Sequence, residues 1–216
     1  MSMHERMGGS GGWARLLPAM LVLAIMLSCL SGCAPHGRAV GDSWQEGLTA
    51  EHDGPDRSAV TVAIVGPAHT EHTDGGGGWA DLNRRIFDLL ERNGMEAYFT
   101  SASDADGQRH AVREAVARRT TVIAVEEPAV CDWSGVLGRA RRAGLPVVLI
   151  GGGYRPSDQT LYAASLRVDD GARDAVPLGR ALQTIADDRR HPRLIRVNLQ
   201  DDLTQRRPPD RIEEMQ

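Results

Sequence analysis

Short apolar runs alternate with amphipathic stretches from about residue 58 to residue 190. The apolar runs are rich in β-branched residues and end at glycine, proline or charged residues, which predicts buried strands. The clearest runs are VTVAIV (60–65), MEAYFT (95–100), TVIAV (121–125) and VVLI (147–150). Apolar side chains at helical spacing predict helices in the intervening residues 79–93, 103–119 and 133–143.

This alternation predicts an α/β fold with three layers, in which helices cover both faces of a parallel sheet. The expected layout is flavodoxin-like, with right-handed connections between strands. Ligands of such sheets bind at the carboxyl ends of the strands. The segments that follow the four clearest strands at that edge are GPAHTEHTDGGGG, SASDADG, EEPAV and GGGYRPSD.

The first 32 residues have the pattern of a secretory signal peptide. Arginines flank a polar, glycine-rich start, and residues 16–30 are mostly apolar but short for a membrane span. The sequence Leu30-Ser31-Gly32-Cys33 resembles the bacterial lipobox, in which cleavage falls just before the cysteine. The resemblance implies that diacylglycerol on Cys33 holds the protein on the outer side of the cell membrane. The alternative is an uncleaved single-span anchor, which also places the body outside the cytoplasm.

Changes in composition divide the rest of the chain. Residues 33–57 are polar and lack periodicity, which predicts a flexible tether, and residues 58–190 form the α/β lobe. Residues 191–216 begin with the strand-like RLIRVNLQ and continue as a charged tail that contains Pro208 and Pro209. We interpret that strand as the start of an incomplete second lobe.

Composition excludes several classes of function. The net charge of −4 gives no overall electrostatic basis for binding nucleic acid or an anionic membrane surface. All 25 basic residues are arginine. Cys131 is the one cysteine after residue 33, so the body offers no disulfide and no cysteine-based zinc site. No Ser-His-Asp arrangement with a nucleophile elbow is visible, so we expect neither an enzyme nor a cofactor.

The order of motifs resembles the type I periplasmic binding proteins of the ribose and galactose class. The most specific stretch is residues 140–150, since that family commonly reads Ala-x-x-Ala-Gly-Ile-Pro-Val-Val. The segments AYFTSASDADGQ (97–108) and SLRVDDGARDAVPLGRAL (165–182) add to it. The resemblance covers residues 59–184 and one lobe, whereas the family closes two lobes on its ligand. It implies a receptor that binds a small solute of the carbohydrate class and delivers it to an ABC transporter permease.

The candidate ligand-binding residues follow from the predicted mouth and from this resemblance. Trp79, after four glycines, either stacks on a sugar or begins the core of its helix. Asp169 and Asp170 either bind the ligand, as the resemblance implies, or cap the next helix. Residues 151–153 are glycines, and Gly151 and Gly152 stand where sugar-binding members often carry an Asp-Arg pair. They form either a relaxed loop or a bare backbone that admits a bulky or anionic ligand, with Arg155 as its partner.

Two rival functions remain open. His69, Glu71, His72 and Asp74 lie close together in the first mouth loop and are possible ligands for a divalent metal. A solvated polar loop is the simpler explanation, and a bound metal would make the protein a metal-capture lipoprotein. The other rival is a cell-surface interaction module that binds a protein or an envelope polymer and no small molecule.

Overall fold

The lobe contains a parallel sheet with helices on both faces, as seen in a computed structural model. The structure describes residues 35, 37–42, 56–67 and 79–200, with the backbone alone for residues 79–81. Within these residues the sheet has seven strands in the order β2-β1-β3-β4-β5-β7-β6, and all the pairings are parallel. The strands are β1 (Thr61–Gly66), β2 (Glu96–Ser101), β3 (Val122–Glu126), β4 (Val147–Ile150), β5 (Ala164–Val168), β6 (Val176–Pro177) and β7 (Leu194–Asn198).

Four α-helices connect these strands, and two short 3-10 helices lie at 57–59 and 159–161. The α-helices are α1 (Trp79–Arg92), α2 (Ala105–Arg118), α3 (Ser134–Arg142) and α4 (Leu178–Ala186). The predicted elements lie within a residue or two of those observed, and the α/β three-layer prediction is confirmed. Asp104 caps α2, because its Oδ1 accepts a hydrogen bond from the Gly107 amide at 2.7 Å.

Alternating side chains of the strands supply two separate cores. Val62 and Ile64 of β1 face the layer formed by α1 and α4, whereas Ala63 and Val65 face the layer formed by α2 and α3. The central strands β3 and β4 are buried on both sides. Hydrophobic burial on both faces explains why these strands are continuously apolar in sequence.

Two segments differ from the sequence prediction. The strand-like residues 194–198 do not begin a second lobe; β7 pairs with β5, and Ile195 and Val197 join the core beside α4. Residues 37–42, predicted as part of a flexible tether, lie against the lobe, where Arg193 pairs with Asp42 at 2.6 Å. The domain boundaries at residues 33, 58 and 191 otherwise remain predictions, since residues 1–34, 43–55 and 201–216 lie outside those described.

None of the helices within the described ranges is long and apolar enough to cross a membrane. The predicted signal peptide and Cys33 precede these ranges, so the finding concerns the lobe only.

Candidate functional site

The carboxyl ends of β1 and β3 flank the point where the chain changes from one face of the sheet to the other. The helix after β1, α1, packs on one face, and α2, which leads into β3, packs on the other. In doubly wound sheets this switch point opens a crevice that commonly binds ligands. Here β1 ends at Gly66 and β3 ends at Glu126.

Glu126 is a buried carboxylate in this crevice. Its side chain lies so close to Gly66 that a Cβ there would be 3.0 Å from the Glu126 Cβ, so residue 66 has to be small. The amide nitrogen of Asn83, oriented by its hydrogen-bonding partners, donates to Oε1 at 2.7 Å and to Oε2 at 3.0 Å. Asn83 is itself buried on α1. A buried amide therefore pairs with a buried carboxylate at the base of the predicted mouth.

Burial makes Glu126 unusually easy to protonate. Loss of hydration raises its pKa to about 7, and the Glu127 charge acts in the same direction. The hydrogen bond from Asn83 opposes this rise because it stabilises the carboxylate. Near neutral pH the side chain therefore exists both as a carboxylate, which only accepts hydrogen bonds, and as a carboxylic acid, which also donates one.

Gln108 fixes the turn that follows β3. Its buried side chain donates from Nε2 to the carbonyl oxygens of Glu126 and Glu127, both at 3.3 Å. Its Oε1 accepts from the Ala129 amide at 2.9 Å. Glu127 has a φ of 41°, which is uncommon for a residue other than glycine. The clamp from α2 thus holds the backbone in a conformation that directs the Glu127 side chain toward the next loop.

The glycine loop after β4 accommodates the Glu127 carboxylate. A Cβ at Gly151 would lie 2.8 Å from the Glu127 Cδ, and one at Gly153 would lie 2.8 Å from Oε2. Gly151 also has a φ of 109°, which side chains other than glycine rarely adopt. The bare backbone at Gly151 and Gly153 therefore faces a carboxylate of the chain itself.

Asp170 connects α1 with the end of β7. Its Oδ2 lies 2.6 Å from Arg85 Nη2, and its Oδ1 accepts from the Leu199 amide at 2.8 Å. Partial burial favours the neutral form, but the Leu199 amide and Arg85 together hold the pKa of Asp170 below its usual value. Asp169 is half-buried beside it, and its Oδ1 accepts from the Gly171 amide at 3.2 Å.

The alternative that Asp169 or Asp170 caps the next helix is wrong. That helix, α4, begins at Leu178, with Pro177 at its N-cap position, and the short strand β6 intervenes. Asp169 instead closes a turn with the Gly171 amide, and Asp170, in the loop after β5, forms an ion pair with Arg85 of α1. Their proposed contact with a ligand remains a prediction.

Arg155 lies at the opposite edge of the sheet from these aspartates. It lines a cavity of about 370 Å³ together with Tyr162 and Ser165 of the β5 entry and Arg193 and Leu194 of the β7 entry. The loop after β4 runs back along the lobe before β5 begins, which carries Arg155 away from the mouth. Arg155 therefore lies apart from Asp169 and Asp170, and its role as an anion partner at the glycine loop remains a prediction.

Several predicted residues lie outside the described part of the chain. Cys33, His69, His72 and Asp74 are not described, and Trp79 is described only as the first backbone position of α1. Within the described residues no three His, Cys, Asp or Glu side chains are grouped to hold a metal ion. The metal-capture prediction is thus neither supported nor opposed at the loop that suggested it.

Sequence reasoning missed Asn83 and Gln108 and underestimated Glu126. Asn83 lies three residues before Ile86 and seven before Leu90, so helical spacing already placed it on the inward face. Glu126 continues the face of Val122 and Ala124 along β3, which is the α1 face. A polar residue on an apolar face is the signal that would have identified both.

No family model and no curated protein sequence matches the chain. Similar solved structures include the periplasmic binding protein of the arabinose ABC transporter from Shewanella sp. ANA-3, bound to α- and β-L-arabinofuranose (23% identity, 51% of this chain, 35% of that chain, TM-score 0.44). A Mycobacterium smegmatis protein in complex with β-D-fucofuranose has 18% identity, 64% and 54% coverage and a TM-score of 0.44.

A third similar structure is an ABC transporter periplasmic solute binding protein from Actinobacillus succinogenes 130z with bound D-allose. It has 9% identity, covers 64% of this chain and 58% of its own, and has a TM-score of 0.43. The chain therefore spans between 35% and 58% of the length of these three sugar-binding proteins.

Proposed function

We propose that this protein is a lipid-anchored, extracytoplasmic solute-binding protein that recognises a polyhydroxylated small molecule, of the carbohydrate class, at the carboxyl edge of its sheet. The single observation that carries the proposal is the Arg85–Asp170 pair at that edge. A permease of the ABC type is the partner expected to receive the solute.

The Arg85–Asp170 pair has the chemistry that a vicinal diol requires. The guanidinium offers several N–H donors in a planar fork, and the carboxylate offers acceptors, so that adjacent hydroxyls are able to bridge them. Both side chains are almost half exposed, at 48% and 42%, and are therefore accessible to a solute. The Leu199 amide holds one oxygen of Asp170 in place, which reduces the entropy that the carboxylate loses on binding.

Two further acceptors lie along the same edge. Asp169 is adjacent in sequence and half-buried, and Glu127 is half-buried above the glycine loop. A single lobe presents an open face, whereas a closed pocket buries about 70–90% of a small ligand. We therefore expect weak binding, with a Kd on the order of 1 mM.

The test is a thermal unfolding assay of the lobe with a panel of aldopyranoses and furanoses. A sugar that binds only the folded protein stabilises it by about 1.4 kcal/mol at a concentration of ten times the Kd, and D170N and R85Q should abolish that shift. D174N and R196Q are matched controls, because Arg196 and Asp174 form another exposed pair, on β7 and before β6. Absence of any sugar-dependent shift, or equal losses in the control pair, would contradict the proposal.

The anchoring step has an independent test that uses two cysteines of the same chain. Incorporation of labelled palmitate in a bacterial host should be lost in C33S and retained in C29S, because Cys29 is removed with the signal peptide. Label that survives C33S would remove the lipid anchor from the proposal and leave the sugar test unaffected.

One observation favours the alternative of an interaction module. Val130, in the loop after β3, is 82% exposed, although it is a large apolar residue at the same edge as the proposed mouth. V130S should leave a sugar-dependent shift unchanged. If no sugar stabilises the lobe and V130S weakens its retention on isolated cell envelopes, the interaction module replaces the solute-binding function.

A further inference from the structure

Residues 37–42, which we call the strap, are held at the amino edge of the sheet. Gly41 is packed so closely that a Cβ would lie 2.8 Å from Pro146, which immediately precedes β4, and 2.9 Å from Ile185 near the end of α4. Its carbonyl oxygen lies 2.6 Å from His191 Nε2. Ala39 is buried. The strap is therefore part of the packed lobe at the edge opposite the mouth.

Two arginines fix the ends of the strap. Arg141, in the last turn of α3, donates from Nε to the Arg38 carbonyl at 3.2 Å and also bonds the Pro35 carbonyl. Arg193, which immediately precedes β7, pairs with Asp42 at 2.6 Å. The amino ends of parallel strands share one edge, so both arginines attach the strap to the same side of the lobe.

Very little chain separates this attachment from the proposed lipid. Ala34 is the one residue between Cys33 and Pro35. Two residues of extended chain reach at most about 7 Å. An acyl-bearing Cys33 would therefore bring the amino edge, and the end of α3 in particular, close to the bilayer surface.

The surface around this attachment is basic. The exposed Arg139 and Arg142 flank Arg141 on α3, a helix without any carboxylate, and Arg38 lies half-buried on the strap. Among the described residues, Asp42 on the strap pairs with Arg193, and the carboxylate of Asp158 accepts from the Thr160 amide and hydroxyl. We call Arg38, Arg139 and Arg142 the basic patch. Arginine side chains next to an anionic leaflet are each attracted by its surface potential.

We propose that the strap and the basic patch orient the lobe on the membrane, with the amino edge of the sheet against anionic phospholipid headgroups and the carboxyl edge facing away. This inference rests on the proposed anchoring at Cys33. It places the Arg85–Asp170 pair on the far side of the sheet. A strand of six residues, such as β1, spans about 20 Å, so the mouth faces the solution rather than the lipid.

The experiment measures which edge of the anchored protein contacts lipid. The full-length, acylated protein with C29S and C131S is reconstituted into vesicles of phosphatidylcholine with 30% phosphatidylglycerol. A fluorophore is attached through A143C, at the exposed end of α3, or through V130C, at the carboxyl edge, and is quenched by headgroup nitroxide lipids. We expect at least threefold stronger quenching at residue 143. Equal quenching, or stronger quenching at residue 130, would overturn the proposal.

Two comparisons separate the contributions of the strap and the patch. R141A removes the strap clamp and should make quenching at the two positions equal, whereas R113A, an exposed arginine on α2, should leave the difference intact. Far-ultraviolet circular dichroism confirms that both variants fold. Replacing the anionic lipid by phosphatidylcholine should reduce quenching at residue 143 at least twofold, because the attraction is electrostatic. An unchanged difference in R141A would overturn the role of the strap.

Failure of the orientation and failure of the anchor give different results. Without an anchor, the protein does not float with the vesicles and carries no palmitate on Cys33. With an anchor but no fixed orientation, the protein floats and its two probes are quenched equally.

Discussion

The two edges of the sheet use polar groups in opposite ways. At the carboxyl edge, two carboxylates pack against other parts of the lobe. Glu126 is buried against Asn83, and Glu127 lies over the glycine loop. At the amino edge, arginines bind carbonyl groups of a distant, irregular segment, as Arg141 does across 103 residues of sequence. One edge thus concentrates negative charge in a low-dielectric crevice, and the other uses positive charge to attach the start of the chain.

The two edges therefore differ in the free energy that desolvation of their charged groups costs the folded state. A buried carboxylate with one amide partner destabilises the folded state whenever it is ionised, since its hydration is lost. Half-buried guanidinium groups that donate to carbonyls, as those of Arg141 and Arg193 do, carry a smaller penalty. The amino edge therefore has the character of a structural attachment. The carboxyl edge retains a buried carboxylate, Glu126, whose desolvation cost marks it as part of a candidate functional site.

The largest expected effect is at Glu126. Its folded-state pKa of about 7 exceeds the reference value of 4.5, so the folded protein binds this proton more tightly than the unfolded chain does. The stabilisation is fully present below pH 4.5 and is lost as the pH rises through 7. The free energy of unfolding of the native protein, relative to E126Q, should therefore fall by roughly 3 kcal/mol across this window.

Urea denaturation of both proteins from pH 4.5 to pH 8 measures this difference. Gln retains the shape of Glu126 without its charge, so E126Q should be the more stable protein at pH 8. A matched variant, E114Q, alters an exposed glutamate on α2, and its free energy of unfolding relative to the native protein should not change across this pH range. A pH-independent difference between native protein and E126Q would show that Glu126 is hydrated and that the crevice is open.

Gly151 should have the next largest effect. G151A places a side chain at a φ of 109° and displaces the Glu127 carboxylate, which should lower the free energy of unfolding by roughly 2 kcal/mol through backbone strain. G152A is the matched control, since a Cβ there meets no atom within 4 Å. Adding E127A to G151A should recover the part of the loss due to the displaced carboxylate. Equal stability of G151A and G152A would refute the close packing of Glu127 on this loop.

The sequence predicted the layers and most element boundaries, because burial of alternate or helical faces leaves a periodic pattern over many residues. The strand VVLI at 147–150 was predicted at its observed bounds. Contacts made by irregular segments have no such pattern. Nothing local in residues 37–42 indicates that Gly41 packs on Ile185, and nothing in GGGYRPSD indicates that the loop carries Arg155 to the amino edge.

The sequence predicted where the site lies, but it did not predict which side chains contact one another there. Asp169 and Asp170 were identified from the strand end they follow, and they do lie at the carboxyl edge. The partner of Asp170 is Arg85, which lies 85 residues earlier on α1, so only the tertiary fold, which places α1 against the loop after β5, brings the two together. Residues that become a pair through tertiary structure alone cannot be recognised from spacing.

The smallest effect tests the amino edge. Gly41 has a φ of 81°, and G41A adds a methyl group that would lie 2.8 Å from Pro146. We expect the strap to detach from the lobe rather than the core to distort. Because release limits the cost, the free energy of unfolding should fall by only about 1–2 kcal/mol. G37A shares the positive φ, at 71°, but meets no atom within 4 Å, so it isolates the backbone contribution from the steric one. Hydrogen exchange of the Gly41 and Asp42 amides should accelerate in G41A and change little in G37A. Equal exchange in the two variants would show that the strap is not packed on the lobe, and the contrast between the edges would then rest on the carboxyl edge alone.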